Sequence, residues 1–132
     1  MRNLIHFPTF WLLEETTGVA VIHGAAVARD GKALVLTGLD GVGKSTLALY
    51  LCQHRGFRLL ADNFVLTDGE SILPFPEMTR LNQNSIEAVG LDGHGLGQFG
   101  NRRYLSTDSF NTIEATRCVA VITNKSGCSP FL

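Results

Sequence analysis

Residues 33–55 read ALVLTGLDGVGKSTLALYLCQHR, and three kinds of chain follow one another within them. Ala33–Thr37 is an apolar run of strand length, apolar enough to be covered on both faces of a sheet. Gly38, Gly41 and Gly43 then break the pattern, placing three glycines within six residues. From Lys44 to Arg55 the apolar residues return at helical spacing, Leu47 with Leu51 and Ala48 with Cys52. Gly56 supplies a stop, with His54 and Arg55 in the last turn, where cations oppose the negative end of the helix dipole. A buried strand, a glycine loop and a helix in that order predict an α/β domain.

The loop carries a chemistry of its own. Gly38-Leu39-Asp40-Gly41-Val42-Gly43-Lys44-Ser45, followed by Thr46, fits G-x-x-x-x-G-K-[ST] at every fixed position, and it has the strand before and the helix after that the Walker A pattern requires. Glycines let the backbone wrap closely enough for successive N–H groups to converge on a phosphate, and the helix start adds the positive end of its dipole. Lys44 would reach the β- and γ-phosphates and Ser45 would offer its hydroxyl to Mg²⁺. The sequence therefore predicts a nucleoside triphosphate site, read as ATP with Mg²⁺, on Gly38–Thr46.

Outward from the loop, Val19–Ala28 is a second apolar run, joined to Ala33–Thr37 through Arg29-Asp30-Gly31-Lys32. An Asp-Gly pair between two such runs predicts a β-hairpin. Downstream, Phe57–Ala61 reads as a strand that ends at Asp62-Asn63. Phe64–Thr67 and Ile72–Phe75 flank Asp68-Gly69-Glu70-Ser71 as another hairpin, whose second arm Pro74 and Pro76 confine to an edge. Asn82 or Asn84 caps a short helix, Ser85–Val89, ending at Gly90. Gly90, Gly93, Gly95, Gly97 and Gly100, with Asn101, Arg102 and Arg103 behind them, predict a flexible loop over 90–103. Tyr104–Thr107 and Ala115–Thr123 read as strands, and 124–132 as an irregular tail. The expected organisation is a single domain over 1–132, with its nucleotide-binding core at 19–67.

Composition bounds the alternatives. A length of 132 residues, 45% of them hydrophobic and 17% charged, suits one folded domain rather than a disordered chain. A net charge of -1 gives no basic field for a nucleic-acid or polybasic membrane partner. Leu4–Leu13 is apolar but interrupted by His6 and Pro8 and closed by Glu14-Glu15, so it reads neither as a membrane span nor as a signal peptide. Cys52, Cys118 and Cys128 are odd in number and widely spaced, which predicts reduced thiols and a cytoplasmic setting.

The order His23-Gly24, Gly38–Ser45, then Leu59-Leu60-Ala61-Asp62-Asn63 resembles the HPr kinase/phosphorylase family, whose phosphate loop is related to that of phosphoenolpyruvate carboxykinase. The resemblance covers residues 19–67 closely and 76–105 more loosely, where Arg80 is similar to an arginine of related proteins. It implies a catalytic domain of that type with a mixed β-sheet, and ATP-dependent transfer of a phosphoryl group to a serine hydroxyl on a protein or peptide, HPr-like in the family. Homo-oligomeric assembly is implied as well. By position Asp62 is then the general base, Asn63 stands where the family has a metal-holding aspartate, and His23 is the histidine near phosphate and metal. Catalysis would fall to Asp62, Lys44 and His23, and the metal to Ser45 and Asn63. The family's later Glu-Ile-Arg-Gly-Leu-Gly signature is absent.

From the residues alone, turn chemistry at a strand end is the lesser reading of Asp62, and a core histidine is an equal reading of His23. Two other functions stay open. A small-molecule kinase of the nucleoside monophosphate type shares the loop, but it would place the loop near the chain start and follow it with Asp-Arg. A nucleotide-binding module without catalysis is the other, favoured by Asn63. Gly95-Leu96-Gly97-Gln98-Phe99-Gly100 spells G-x-G-x-x-G without the preceding strand or following helix of a dinucleotide site. A flap over the phosphates, with Arg102 and Arg103, is the alternative role for that segment.

Overall fold

A computed structural model describes residues 2–91, 96–99, 102–106 and 116–124. First in the chain is α1 (Arg2–Thr17), a helix that the broken apolar pattern over Leu4–Leu13 does not announce. Pro8 removes one intrahelical donor, and what anchors the helix is tertiary. Phe10 is buried, its ring centroid 4.8 Å from that of Phe64 and 5.7 Å from that of Phe75.

The predicted hairpin follows as β1 (Ala20–Arg29) and β2 (Lys32–Gly38), antiparallel in the register Ala25↔Leu36 and Ala28↔Ala33. Asp30 and Gly31 turn it with φ of +53° and +72°, both left-handed as a two-residue hairpin matched to strand twist demands. Next come α2 (Lys44–His54), β3 (Arg58–Thr67) and β4 (Ser71–Leu73). β4 pairs with β3 as the second hairpin, Leu66↔Leu73 and Thr67↔Ile72. A correction concerns β3, which does not stop at Ala61. It continues through Asp62 and Asn63 as one strand antiparallel to β1, with Ala25↔Asp62 and Gly24↔Asn63.

The remaining elements are β5 (Thr79–Leu81), α3 (Gln83–Val89), β6 (Leu96–Phe99), β7 (Arg102–Leu105) and β8 (Thr116–Asn124). β8 runs parallel to β2 and antiparallel to β4, so the sheet is mixed and its pairing closes as β1-β2-β8-β4-β3. Ala26, Ala28, Ala33, Val35, Leu60, Ala61, Val65 and Ile72 form one core cluster from four of those strands; small side chains suit the interior of so narrow a ring. α2 covers the other face through Ala48 and Cys52, against Ala25, Val27, Leu36 and Leu59. ALVLT is thus covered on both sides, as its composition predicts.

β5, β7 and β6 make a separate three-stranded antiparallel sheet, where a glycine-rich loop was expected over 90–103. Leu96–Phe99 and Arg102–Leu105 are strands, and residues 92–95, 100 and 101 lie outside the described residues. So do 107–115 and 125–132, with Cys128 and nearly all of the expected tail. α3 begins at the Asn82 cap, whose Oδ1 accepts the Ser85 N–H at 2.8 Å. Leu81, Ile86, Val89, Leu91 and Leu105 pack with Leu49 of α2, bringing the small sheet and α3 to the helix that follows the glycine loop. No helix among the described residues is long and apolar enough to cross a membrane.

Candidate active site

The loop between β2 and α2 is shaped by its glycines. Gly43 is the residue before α2 and takes φ +94°, which a side chain would strain. Lacking a side chain, it contributes no capping oxygen, so no side chain of the cap residue competes for the first-turn amides of α2, groups that an anion site uses. The Lys44 ammonium curls back over the loop and donates to the carbonyls of Gly38 and Leu39, each at 2.8 Å.

Across the loop stands Asp62. The unbroken run of β3 along β1 sets it beside Ala25, where it is 6% exposed and accepts a 2.6 Å hydrogen bond from Ser45 Oγ. A carboxylate this buried needs such donors. The turn reading of Asp62-Asn63 therefore gives way to a strand interior with a kink: Asn63 has φ +83°, a backbone state in which asparagine is among the better tolerated residues. Gly24, opposite Asn63, is required by close approach, since an added Cβ would strike the Leu36 carbonyl oxygen.

His23, on β1, reaches the loop from the other side. Its Nε2 lies 2.8 Å from Oδ1 of Asp40, and this hydrogen bond holds the Asp40 carboxyl below the usual carboxylate range. His23, Asp40, Gly41, Gly43, Lys44, Ser45, Thr46, Asp62 and Asn63 all line one cleft of about 260 Å³. Not every predicted site residue is in that lining. Gly38 and Leu39 contribute through their carbonyls to Lys44. Val42 instead borders a small apolar cavity with Leu36, Leu47 and Ile122. Thr46 Oγ1 is 2.8 Å from Ser85 Oγ, a bond that ties α2 to α3.

The opposite wall is Arg80, Leu81, Asn82 and Ser85. Sequence reasoning found no mechanism for Arg80 and named neither Ser85 nor Asn82 for the site. The available signal was the alternation of Thr79, Arg80 and Leu81, in which the flanking residues are buried and the arginine is exposed. Only the docking of this strand and α3 against α2 brings the arginine into the lining of the loop's cleft. Among the described residues no three His, Cys, Asp or Glu side chains gather as a metal cluster. The donors at hand are the Ser45 hydroxyl, the Asp62 carboxylate and the Asn63 amide, hard oxygen groups that suit Mg²⁺ completed by phosphate oxygens.

Comparison with known proteins agrees with the residue pattern. The chain is 40% identical over 73 residues to the HPr kinase/phosphorylase of Lactobacillus delbrueckii subsp. bulgaricus, covering 53% of this chain and 22% of that protein. It is 32% identical over 92 residues to the HPr kinase/phosphorylase of Clostridium botulinum, covering 67% of this chain and 30% of that protein. The matched stretch thus spans less than a third of either relative. The solved Hpr(Ser) kinase/phosphatase of Coxiella burnetii aligns over 78% of this chain and 63% of its own, with a TM-score of 0.45 and 16% identity, a loose likeness. No protein-family model matches the chain.

Proposed function

From a chain related in sequence to the HPr kinase/phosphorylases, we propose that it binds ATP on the Gly38–Thr46 loop and transfers the γ-phosphoryl group to a serine hydroxyl of a protein or peptide. The carrying observation is the 2.6 Å bond from Ser45 Oγ to Asp62 Oδ1, which sets a buried carboxylate against the hydroxyl of the loop motif, in a cleft shared with Lys44 and His23.

In this reading the loop amides and Lys44 hold the phosphates, and Arg80 faces the transferring group, where a guanidinium stabilises developing charge. Ser45 and Asn63 would hold Mg²⁺ beside Asp62; when bound, the ion would neutralise charge on the β- and γ-phosphates. Asp62 takes the proton of the acceptor hydroxyl as the serine oxygen bonds to the γ-phosphorus and the bond to the ADP oxygen breaks. His23, held by Asp40, walls the acceptor side. A cytoplasmic setting and a homo-oligomer fit the same reading.

Calorimetry with Mg·ATP, followed by phosphotransfer assays offering serine-bearing peptides beside dTMP, tests it. Binding heat and phosphoserine formation are expected; transfer to dTMP would favour a small-molecule kinase. One observation supports a second reading, nucleotide binding without transfer. Asn63 offers an amide where a carboxylate would attract the dication more strongly, and tight ATP binding with no ADP formed over hours would select it.

A further inference from the structure

A second cavity, of about 300 Å³, lies on the other side of His23, bounded by Phe10, Trp11 and Glu14 of α1, Val21 of β1 and Phe64 of β3. His23 also lines the phosphate-loop cleft, so one imidazole separates the two spaces. The inner wall is fixed. Phe10 is 5% exposed and packs on Phe64 at 4.8 Å between centroids, and Phe64 meets the His23 ring edge-on at 6.3 Å. Trp11, by contrast, is 64% exposed, an aromatic surface left beside an open cavity. The acidic member of the lining is Glu14, whose Oε1 accepts the Val21 N–H at 3.3 Å and is thereby kept at the cavity.

We propose that this cavity is a subsite for a basic side chain, lysine or arginine, on the acceptor peptide, a proposal that rests on the serine-acceptor reading above for what stands next to it. Three aromatic faces and one carboxylate are complementary to a cation carried on an aliphatic stem. An acidic side chain would be repelled by Glu14, and a purely apolar one would desolvate that carboxylate with no opposite charge beside it, leaving it the Val21 N–H. Phe64 pairs with His23 and follows Asp62 by two residues on β3, a rise of about 7 Å along a strand. An extended acceptor with its serine at Asp62 therefore brings a residue within about two positions of that serine to the cavity.

Trp11 is the chain's single tryptophan, so intrinsic fluorescence reports this cavity directly, without nucleotide or turnover. The probes are blocked tetrapeptides, Gly-Arg-Ser-Gly, Gly-Leu-Ser-Gly and Gly-Glu-Ser-Gly, titrated to millimolar concentrations. The arginine peptide is expected to give a saturable change, with the leucine peptide weaker by about tenfold and the glutamate peptide weaker still. Glu14→Gln keeps a carbonyl for the Val21 N–H while removing the charge, and it should weaken the arginine peptide by about tenfold with an unaltered circular dichroism spectrum. Equal affinity for the leucine and arginine peptides, an unchanged affinity in Glu14→Gln, or no saturable response overturns the proposal. If Mg·ATP calorimetry is silent while these titrations behave as expected, the kinase reading fails and the site stands as one for basic side chains. If ATP binds and serine is phosphorylated but the titrations fail, the subsite alone is lost.

Discussion

His23 Nε2 and Asp40 Oδ1 lie 2.8 Å apart, tying an imidazole on β1 to a carboxylate in the glycine loop. The hydrogen bond from His23 is the main cause holding the Asp40 carboxyl below its usual range, the charge of His23 comes second, and Lys44 adds a smaller pull. A folded-state value below the unfolded one means the contact is favourable above the ordinary carboxylate pKa and is lost as pH falls through the depressed value. Asp40 is exposed, so the effect is local and screened. A carboxyl-carbon NMR titration should place the Asp40 midpoint below that of an isolated aspartate, and His23→Ala should move it up toward the ordinary value. An unmoved midpoint in His23→Ala would refute the pairing.

In the proposed kinase reading, Lys44 serves binding and Asp62 serves turnover. Lys44→Ala removes the ammonium from the loop and should weaken Mg·ATP by about ten- to a hundredfold or more, on the scale of charged hydrogen bonds. Asp62→Asn retains an oxygen to accept from Ser45 Oγ, so folding and nucleotide affinity should survive. Turnover should fall by roughly 10²–10⁴, the usual contribution of a general base. Turnover equal to that of the native chain would remove Asp62 from the base role.

Gly24 is set where β1 passes close to β2, and a methyl group there meets backbone rather than a movable side chain. Gly24→Ala should lower stability by about 1–3 kcal/mol, as overpacking does, with a thermal midpoint several degrees lower. A melting curve superimposable on the native one would show that the strands separate more easily than the structure indicates.

Burial on the inner face of α2, against the sheet, pushes the Cys52 thiol up to about 12, with Arg58 opposing it. The thiolate is the reactive form, so at pH 8 Cys52 should resist iodoacetamide in the native chain and react once denatured. Cys118, partly exposed, is the internal comparison. Peptide mass spectrometry showing rapid native alkylation of Cys52 would contradict the burial.

Read from the sequence, the stretch from Val19 to Gly56 declares itself because its signals are local. An Asp-Gly pair accepts two positive φ values, glycines permit the loop, and Leu47, Leu51, Ala48 and Cys52 repeat at helical spacing. The Asn82 cap was legible on the same ground, a side chain bonding an amide three residues on. α1 was not, since its anchor is Phe10 against Phe64 and Phe75, residues more than fifty positions away in the chain. β5 and β6 were hidden likewise: three and four residues long, they become strands by pairing with β7.

Local chemistry in the sequence by itself determined the hairpin, the phosphate-type loop and the helix leaving it. Tertiary structure alone decided that β3 runs on through Asp62 and Asn63, that Asp62 receives the Ser45 hydroxyl, and that Arg80 and Ser85 face the same cleft. Backbone preference is set by a residue and its near neighbours. Strand register, ring closure and the docking of one sheet on a helix depend instead on partners distant in the chain, which no short window of sequence contains.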